Sequence, residues 1–333
     1  MLAEPMLFRK TFRLHCRERA AFRRPPGAGV SLSRRGLLAA AASTVPALGR
    51  AESGRPLVVA SKSDTEGALL GNLIALVLEG LGLPVIRRLG LGPTLIVRSA
   101  LLAGEIDLYP EYTGNVAFFS GTETDPAWKT SEGAYAGAMR LDAARSLVWL
   151  GRAPANNTWL IAVQGRLARE RRLATMADFA GAVRDDVIRL AASTEFVESP
   201  AALPSFEAAY GFALPMNRIV SLPGGDTAVT ARAAAEGISG INAGMVYGTD
   251  GALAALDLAV MSDPKGAQIV YEPAPVIRSA TLERHPQIRA ALDPVFDRLD
   301  AETLRRLNAA ITVEGRIAAS VAAEWLGRKA DDR

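Results

Sequence analysis

The chain of 333 residues holds six Tyr and four Trp. Five of these rings fall in segments typical of strand ends and loops: Tyr109-Pro-Glu-Tyr112-Thr-Gly114, Asn156-Asn-Thr-Trp159, Val246-Tyr247-Gly-Thr-Asp250 and Tyr271-Glu-Pro-Ala-Pro275. A core aromatic usually has aliphatic neighbours in period, whereas a ring beside Gly, Pro, Asn or Thr is better placed to touch a ligand. The chemistry open to several such rings is capture of an organic cation. A trimethylammonium group has no N–H to donate, so hydrogen bonds cannot hold it. Electron-rich ring faces can, at about 0.5–2 kcal/mol each, so four give on the order of 2–8 kcal/mol. With modest polar help this reaches about micromolar affinity. The competing reading makes the same rings core residues of ordinary duplicated α/β units.

Other polar positions carry paired readings. Asn156 and Asn157 are cleft donors or turn formers. Lys62 is a ligand contact or a solvated lysine at a strand end. Gly224-Gly-Asp-Thr227 is an anion cradle at a helix N-terminus or a plain cap. Asp107, Glu111 and Asp250 read as residues that orient loops.

Catalysis finds little material. Residues 1–50 carry ten Lys/Arg against Glu4 and Glu18, so the overall +3 leaves residues 51–333 near −5. The basic character therefore belongs to the N-terminal segment, and a nucleic-acid partner loses its main support. That segment contains Ser33-Arg34-Arg35-Gly36-Leu37-Leu38, a twin-arginine pattern, then a weakly apolar run to Leu48 and small residues at Ala47, Gly49 and Ala51. It reads as an export signal over residues 1–51, with a basic tail as the competing reading. Cleavage there removes the only Cys, Cys16, and one of two His, His15. Thiol nucleophiles, Cys/His zinc sites and disulfides are then excluded, no cofactor or metal is implied, and a Ser-His-Asp triad would have to use His285.

The elements that must position the rings follow from periodicity. Residues 57–60 form a short apolar strand. Ser63 and Glu66 have capping-box spacing, so a helix is expected from Asp64 to Gly80. A strand at 85–87, a loop at 90–93, a helix at 94–103 and a strand at 104–109 follow. This strand–helix alternation predicts a parallel sheet with helices on its faces. The theme returns with strands at 188–192 and 241–247 and helices at 201–210 and 227–236. Residues 282–326 read as helices packing back on the first half. Open α/β sheets bind ligands at the carboxyl ends of their strands, so two such sheets face to face would make a cleft with aromatic walls.

Several runs carry a family resemblance: Ala60-Ser-Lys-Ser-Asp-Thr-Glu-Gly67, Leu89-Gly-Leu-Gly-Pro-Thr94, Ala103-Gly-Glu-Ile-Asp-Leu-Tyr-Pro-Glu-Tyr-Thr-Gly114, Pro154-Ala-Asn-Asn-Thr-Trp159, Glu195-Phe196, Tyr247-Gly-Thr-Asp-Gly251, Tyr271-Glu-Pro-Ala-Pro275 and Leu307-Asn308. Over residues 56–326 the chain resembles the osmoprotectant (glycine betaine/choline) substrate-binding proteins of ABC importers, in their OsmF-like periplasmic branch. The resemblance implies a type II periplasmic-binding fold with two α/β lobes, a central cleft and two crossings near Trp159 and Tyr271. Residues 56–158 with 272–333 would form lobe 1 and residues 159–271 lobe 2. It implies a monomer in the periplasm that is not an enzyme and delivers a quaternary ammonium ligand to ABC permease and ATPase subunits. By motif, the cage rings fall on Tyr112, Trp159, Tyr247 and Tyr271. Lys62 and Asn115 match positions that hold a ligand carboxylate. Ser199 departs from the pattern, standing where relatives carry an Arg that grips that carboxylate, so one charge-assisted bond of about 1.5–3 kcal/mol is missing. A choline-like ligand, weak betaine binding and compensation by Lys62 all remain open, as does a sensor role without transport.

Overall fold

The computed structural model describes residues 55–223 and 227–327. The twin-arginine segment, with Cys16 and His15, and the Gly224-Gly-Asp226 loop lie outside the described residues.

The first sheet begins with β1 (Leu57–Lys62), buried along its whole length, and α1 (Thr65–Gly80). Asp64, not Ser63, caps α1: its carboxylate accepts from the Gly67 N–H, so the helix starts one residue later than expected. Glu66 therefore makes no capping box, and its side chain is released for another use. Strand β2 (Val85–Gly92) outruns the expected 85–87. Its pairing with β1 continues past an irregularity to put Gly92 opposite Lys62. Gly90 takes the left-handed φ of 67° there, and its N–H donates to the Ser61 hydroxyl at 3.0 Å.

Helix α2 (Thr94–Ala103) has the expected bounds and ends on a left-handed Gly104. That cap displaces the next strand, β3, to Leu108–Tyr112. Residues 105–107 instead form a turn, in which buried Asp107 accepts from the Val58 N–H at 2.9 Å and the Thr281 hydroxyl at 3.1 Å. Pro110 is tolerated inside β3 because β1 pairs with it only at Leu108 and Pro110 faces Pro275 across the other side, so no ladder donor is lost. Then come α3 (Asn115–Ser120), α4 (Ser131–Ala143) and β4 (Leu147–Trp149).

The chain crosses into the second sheet with β5 (Trp159–Gln164), α5 (Gly165–Arg171) and α6 (Met176–Arg184). Next are β6 (Leu190–Ser193), α7 (Thr194–Glu198), α8 (Leu203–Tyr210), β7 (Ile219–Leu222) and α9 (Thr227–Glu236). Strand β8 (Ala243–Tyr247), α10 (Ala252–Ala255) and β9 (Leu258–Val260) complete it. The return strand β10 (Pro273–Arg278) rejoins the first sheet, followed by α11 (Ser279–Arg284), α12 (Gln287–Phe296), α13 (Ala301–Thr312) and α14 (Ala318–Trp325).

The strand orders are β2-β1-β3-β10-β4 and β7-β6-β8-β5-β9. In each, four strands run in one direction and one strand arriving from the other half inserts antiparallel between two of them. The sheets are thus mixed where alternation alone predicted parallel ones, because β5 and β10 enter from across a crossing. Helices α1 and α12–α14 bury Leu69, Leu73, Leu292, Phe296, Leu304 and Val321 on one face of the first sheet. Trp149, Tyr109 and Trp128 fill its other face. The second sheet has its own core around Phe179, Phe196 and Phe206. The two halves repeat one topology, and the C-terminal helices pack on the first. Among the described residues no helix is long and apolar enough to cross a membrane.

Candidate functional site

The two crossings run side by side. The Asn157 N–H donates to the Tyr271 carbonyl at 2.9 Å, and the Tyr271 N–H donates to Asn156 Oδ1 at 2.8 Å. The Thr158 hydroxyl donates to the Ile269 carbonyl at 2.7 Å. Beside this seam opens a cleft of about 1320 Å³, lined from both halves of the molecule.

All four expected cage rings line this cleft. Tyr112 ends β3. Trp159 begins β5 and stands opposite Tyr247, the last residue of β8, in the antiparallel register, which makes the two rings cross-strand neighbours on one face. Tyr271 arrives on the second crossing. Gly114 gives it room: a Cβ there would lie 2.7 Å from the Tyr271 ring. Gly251 plays a similar part for the loop after Tyr247, since a Cβ would lie 2.5 Å from the Ala309 nitrogen of α13. Trp159 and Tyr112 are nearly buried, at 9% and 6% exposure. Trp159 packs edge-on against Phe196, with centroids 6.2 Å apart. Burial pushes the phenols of Tyr112, Tyr247 and Tyr271 upward from their ordinary value, so each ring stays neutral. Tyr109, the fifth ring, is sealed in the core and donates to Glu111 at 2.5 Å.

Lys62, Asn115, Asn157 and Ser199 also line the cleft. Asn156 is not among the residues lining the cleft; its side-chain oxygen accepts the Tyr271 N–H and ties the crossings together. Lys62 and Asn115 are already engaged. The Lys62 ammonium sits 2.7 Å from Glu111 Oε1 and 4.4 Å from the Tyr112 ring centroid. Asn115 Nδ2 donates to the same Glu111 oxygen at 2.7 Å. Glu111, which also accepts the Tyr112 N–H at 2.8 Å, is thus a buried hub more than a loop anchor. Asp250 does orient its loop, accepting the Tyr247 N–H at 2.7 Å.

Sequence reasoning missed Glu66. Its carboxylate lines the cleft from the first turn of α1. It accepts from the Tyr112 hydroxyl at 2.6 Å, Asn157 Nδ2 at 3.3 Å and Asn308 Nδ2 at 2.7 Å. Burial raises its pKa to about 7, with its hydrogen bonds working in the opposite direction. Asn308 appeared in the family motif but had no assigned role; it also holds the Thr249 carbonyl at 2.9 Å.

Three buried side-chain polar atoms lack a hydrogen-bond partner among the described residues: Asn157 Oδ1, Trp159 Nε1 and Asn308 Oδ1. All three residues line this one cleft. Native interiors pair nearly all such atoms, so their convergence marks a place where a ligand or water completes the structure.

Two sheets of matching topology, joined by paired crossings beside a shared cleft, define a two-lobed solute-binding protein of the type II periplasmic-binding fold. The chain belongs to the family described as the substrate binding domain of ABC-type glycine betaine transport systems, whose profile matches residues 55–328. It is 51% identical over 280 residues to the glycine betaine-binding protein YehZ of Escherichia coli K12, covering 84% of this chain and 92% of that protein. A glycine-betaine-binding protein of Pseudomonas aeruginosa is 30% identical over 298 residues, 87% of this chain and 92% of that protein. The apo structure of Escherichia coli YehZ matches with a TM-score of 0.73, covering 82% of this chain and 98% of that one. The family expected from the motifs is therefore the family to which the chain belongs.

Proposed function

We propose that this protein captures a quaternary ammonium solute, glycine betaine or choline, within the rings of Tyr112, Trp159, Tyr247 and Tyr271, and delivers it to an ABC permease. The observation that carries the reading is the convergence of these rings and three unpartnered polar atoms on one cleft. The glycine betaine named for two relatives contains such a head group. Residues 56–158 with the segment from 272 onward act as one lobe and residues 159–271 as the other. The crossings at 156–158 and 269–271 serve as hinges. The ligand touches rings from both lobes, stabilises the closed form, and that form docks on the permease. The protein works as a periplasmic monomer without catalysis, exported through the Arg34-Arg35 signal.

Ser199 supports a weak grip on carboxylates: it lies at the end of α7 on the cleft wall, and the Lys62 charge, which also lines the cleft, is balanced by Glu111. Calorimetric titration with choline, glycine betaine, carnitine and proline betaine is expected to give one saturable site per chain. Ser199→Arg should strengthen betaine binding by about tenfold relative to choline, the worth of one charge-assisted bond. Absence of binding by all four solutes would overturn the proposal, and an unchanged betaine-to-choline ratio in the variant would remove Ser199 from the ligand's reach.

A further inference from the structure

Three cations line the cleft, and each has a carboxylate partner. Lys62 pairs with Glu111, while Arg98 and Arg145 both pair with Asp142. Four carboxylates also line it: Asp64, Glu66, Glu195 and Asp250. Glu66 differs from Asp64, which caps α1, and from Asp250, which anchors its loop. It touches the phenol of one ring and the amide of Asn157, two residues before a second ring. Tyr112, Asn157 and Asn308 all donate to it and the Thr249 side chain is a further hydrogen-bond partner; donors are what an ionised carboxylate requires.

Resting on the cage reading above, we infer that Glu66 is the specificity-determining residue of the cleft, favouring a methylated ammonium ion that carries a hydroxyl over one that carries a carboxylate. Two features favour that choice. A buried negative charge attracts a net cation but gains less from a zwitterion, whose carboxylate it repels in a low-dielectric site. The unpartnered Oδ1 atoms of Asn157 and Asn308 are acceptors, which a hydroxyl can satisfy by donating and a carboxylate cannot.

Cation binding must then favour ionised Glu66. Its apo pKa near 7 sets the sign: affinity for the cation rises as pH climbs through that value. The groups facing Glu66 are the Tyr112 phenol, Asn157, Asn308, Thr249 and the Asp64 carboxylate, with the Lys62–Glu111 pair beyond the Tyr112 ring. His285, the one histidine among the described residues, ends α11 and does not line the cleft.

Calorimetry at pH 6 and pH 8 tests this with choline and glycine betaine on the wild type, Glu66→Gln and Tyr112→Phe. Wild-type affinity for choline should rise by up to about tenfold between the two pH values, and that for betaine by less than threefold. Glu66→Gln should flatten the choline profile and lower the choline-to-betaine preference by about tenfold. Tyr112→Phe keeps the ring and removes one donor to Glu66, so its choline profile should shift to higher pH. A choline profile and preference identical in the wild type and Glu66→Gln would overturn the inference while leaving the cage intact. Absence of binding by both solutes to the wild type would instead sink the cage reading and this inference with it.

Discussion

Trp159→Ala is expected to lower affinity for choline or glycine betaine by tenfold or more. The indole supplies the broadest ring face of the four, and cation–π contacts with Trp reach about 2 kcal/mol when desolvated. Each 1.4 kcal/mol is tenfold in Kd. Trp159 is 9% exposed and packs edge-on against Phe196, so its removal also leaves a void in the second core. Truncating a buried Trp costs about 3–5 kcal/mol, and the variant should melt earlier while still unfolding in a single transition. Trp159→Phe separates the two effects, because it restores much of the packing against Phe196 with a weaker ring face. The expected order of affinity is wild type, then Phe, then Ala. Equal affinities in the three proteins would reject a ligand role for this ring.

Glu66→Gln is expected to stabilise the unliganded protein at pH 8 and leave it nearly unchanged at pH 4. The carboxyl has a folded pKa of about 7 against an ordinary value of 4.5, because burial disfavours its charge more than its hydrogen-bond donors restore it. The folded state therefore holds the proton more tightly than the unfolded chain. The stability that this contributes is fully present below pH 4.5 and is lost as pH rises through 7. The shift corresponds to about 3 kcal/mol at full ionisation. Glutamine has no proton to lose, so its stability curve should lack that slope. Urea unfolding at pH 4, 6 and 8 reads the difference directly. Parallel curves for the two proteins would show that Glu66 ionises at an ordinary pH and is not strained by its site. A variant more stable at pH 8 and equal at pH 4, together with the predicted loss of selectivity, describes a residue kept for binding at the expense of stability.

Much of the architecture was legible before any coordinates. Helices at 94–103 and 227–236 have the bounds that their periodicity predicts, and the repeated strand–helix theme is the repeated sheet topology. The misplacements have local causes. Asp64 outcompeted Ser63 as the cap of α1. A left-handed Gly104 ended α2 and pushed β3 to residue 108. The antiparallel entry of β5 and β10 depends on long-range pairing, such as Trp159 with Tyr247 and Pro273 with Tyr112, which no local period encodes.

The site divides in the same way. Rings beside Gly, Pro and Asn could be read as cleft residues because their neighbours lack the aliphatic period of a core segment, although Tyr109 is sealed in the core and Trp159 packs into it as well as lining the cleft. Side-chain pairing was invisible. Nothing near Lys62 or Asn115 in the chain reveals that both converge on Glu111. Nor does the first turn of α1 reveal that Glu66 meets Asn308, 242 positions away. Asn156 and Asn157 are adjacent and chemically identical, yet one holds the crossings together and the other lines the cleft. Only the backbone direction at the crossing separates them.

A structure determined with bound choline tests the central claim most directly. The account predicts the trimethylammonium group within about 6 Å of the centroids of Tyr112, Trp159, Tyr247 and Tyr271, with its hydroxyl on the Asn157 side of the cleft. A ligand seated outside these rings, or touching those of one lobe alone, would contradict it.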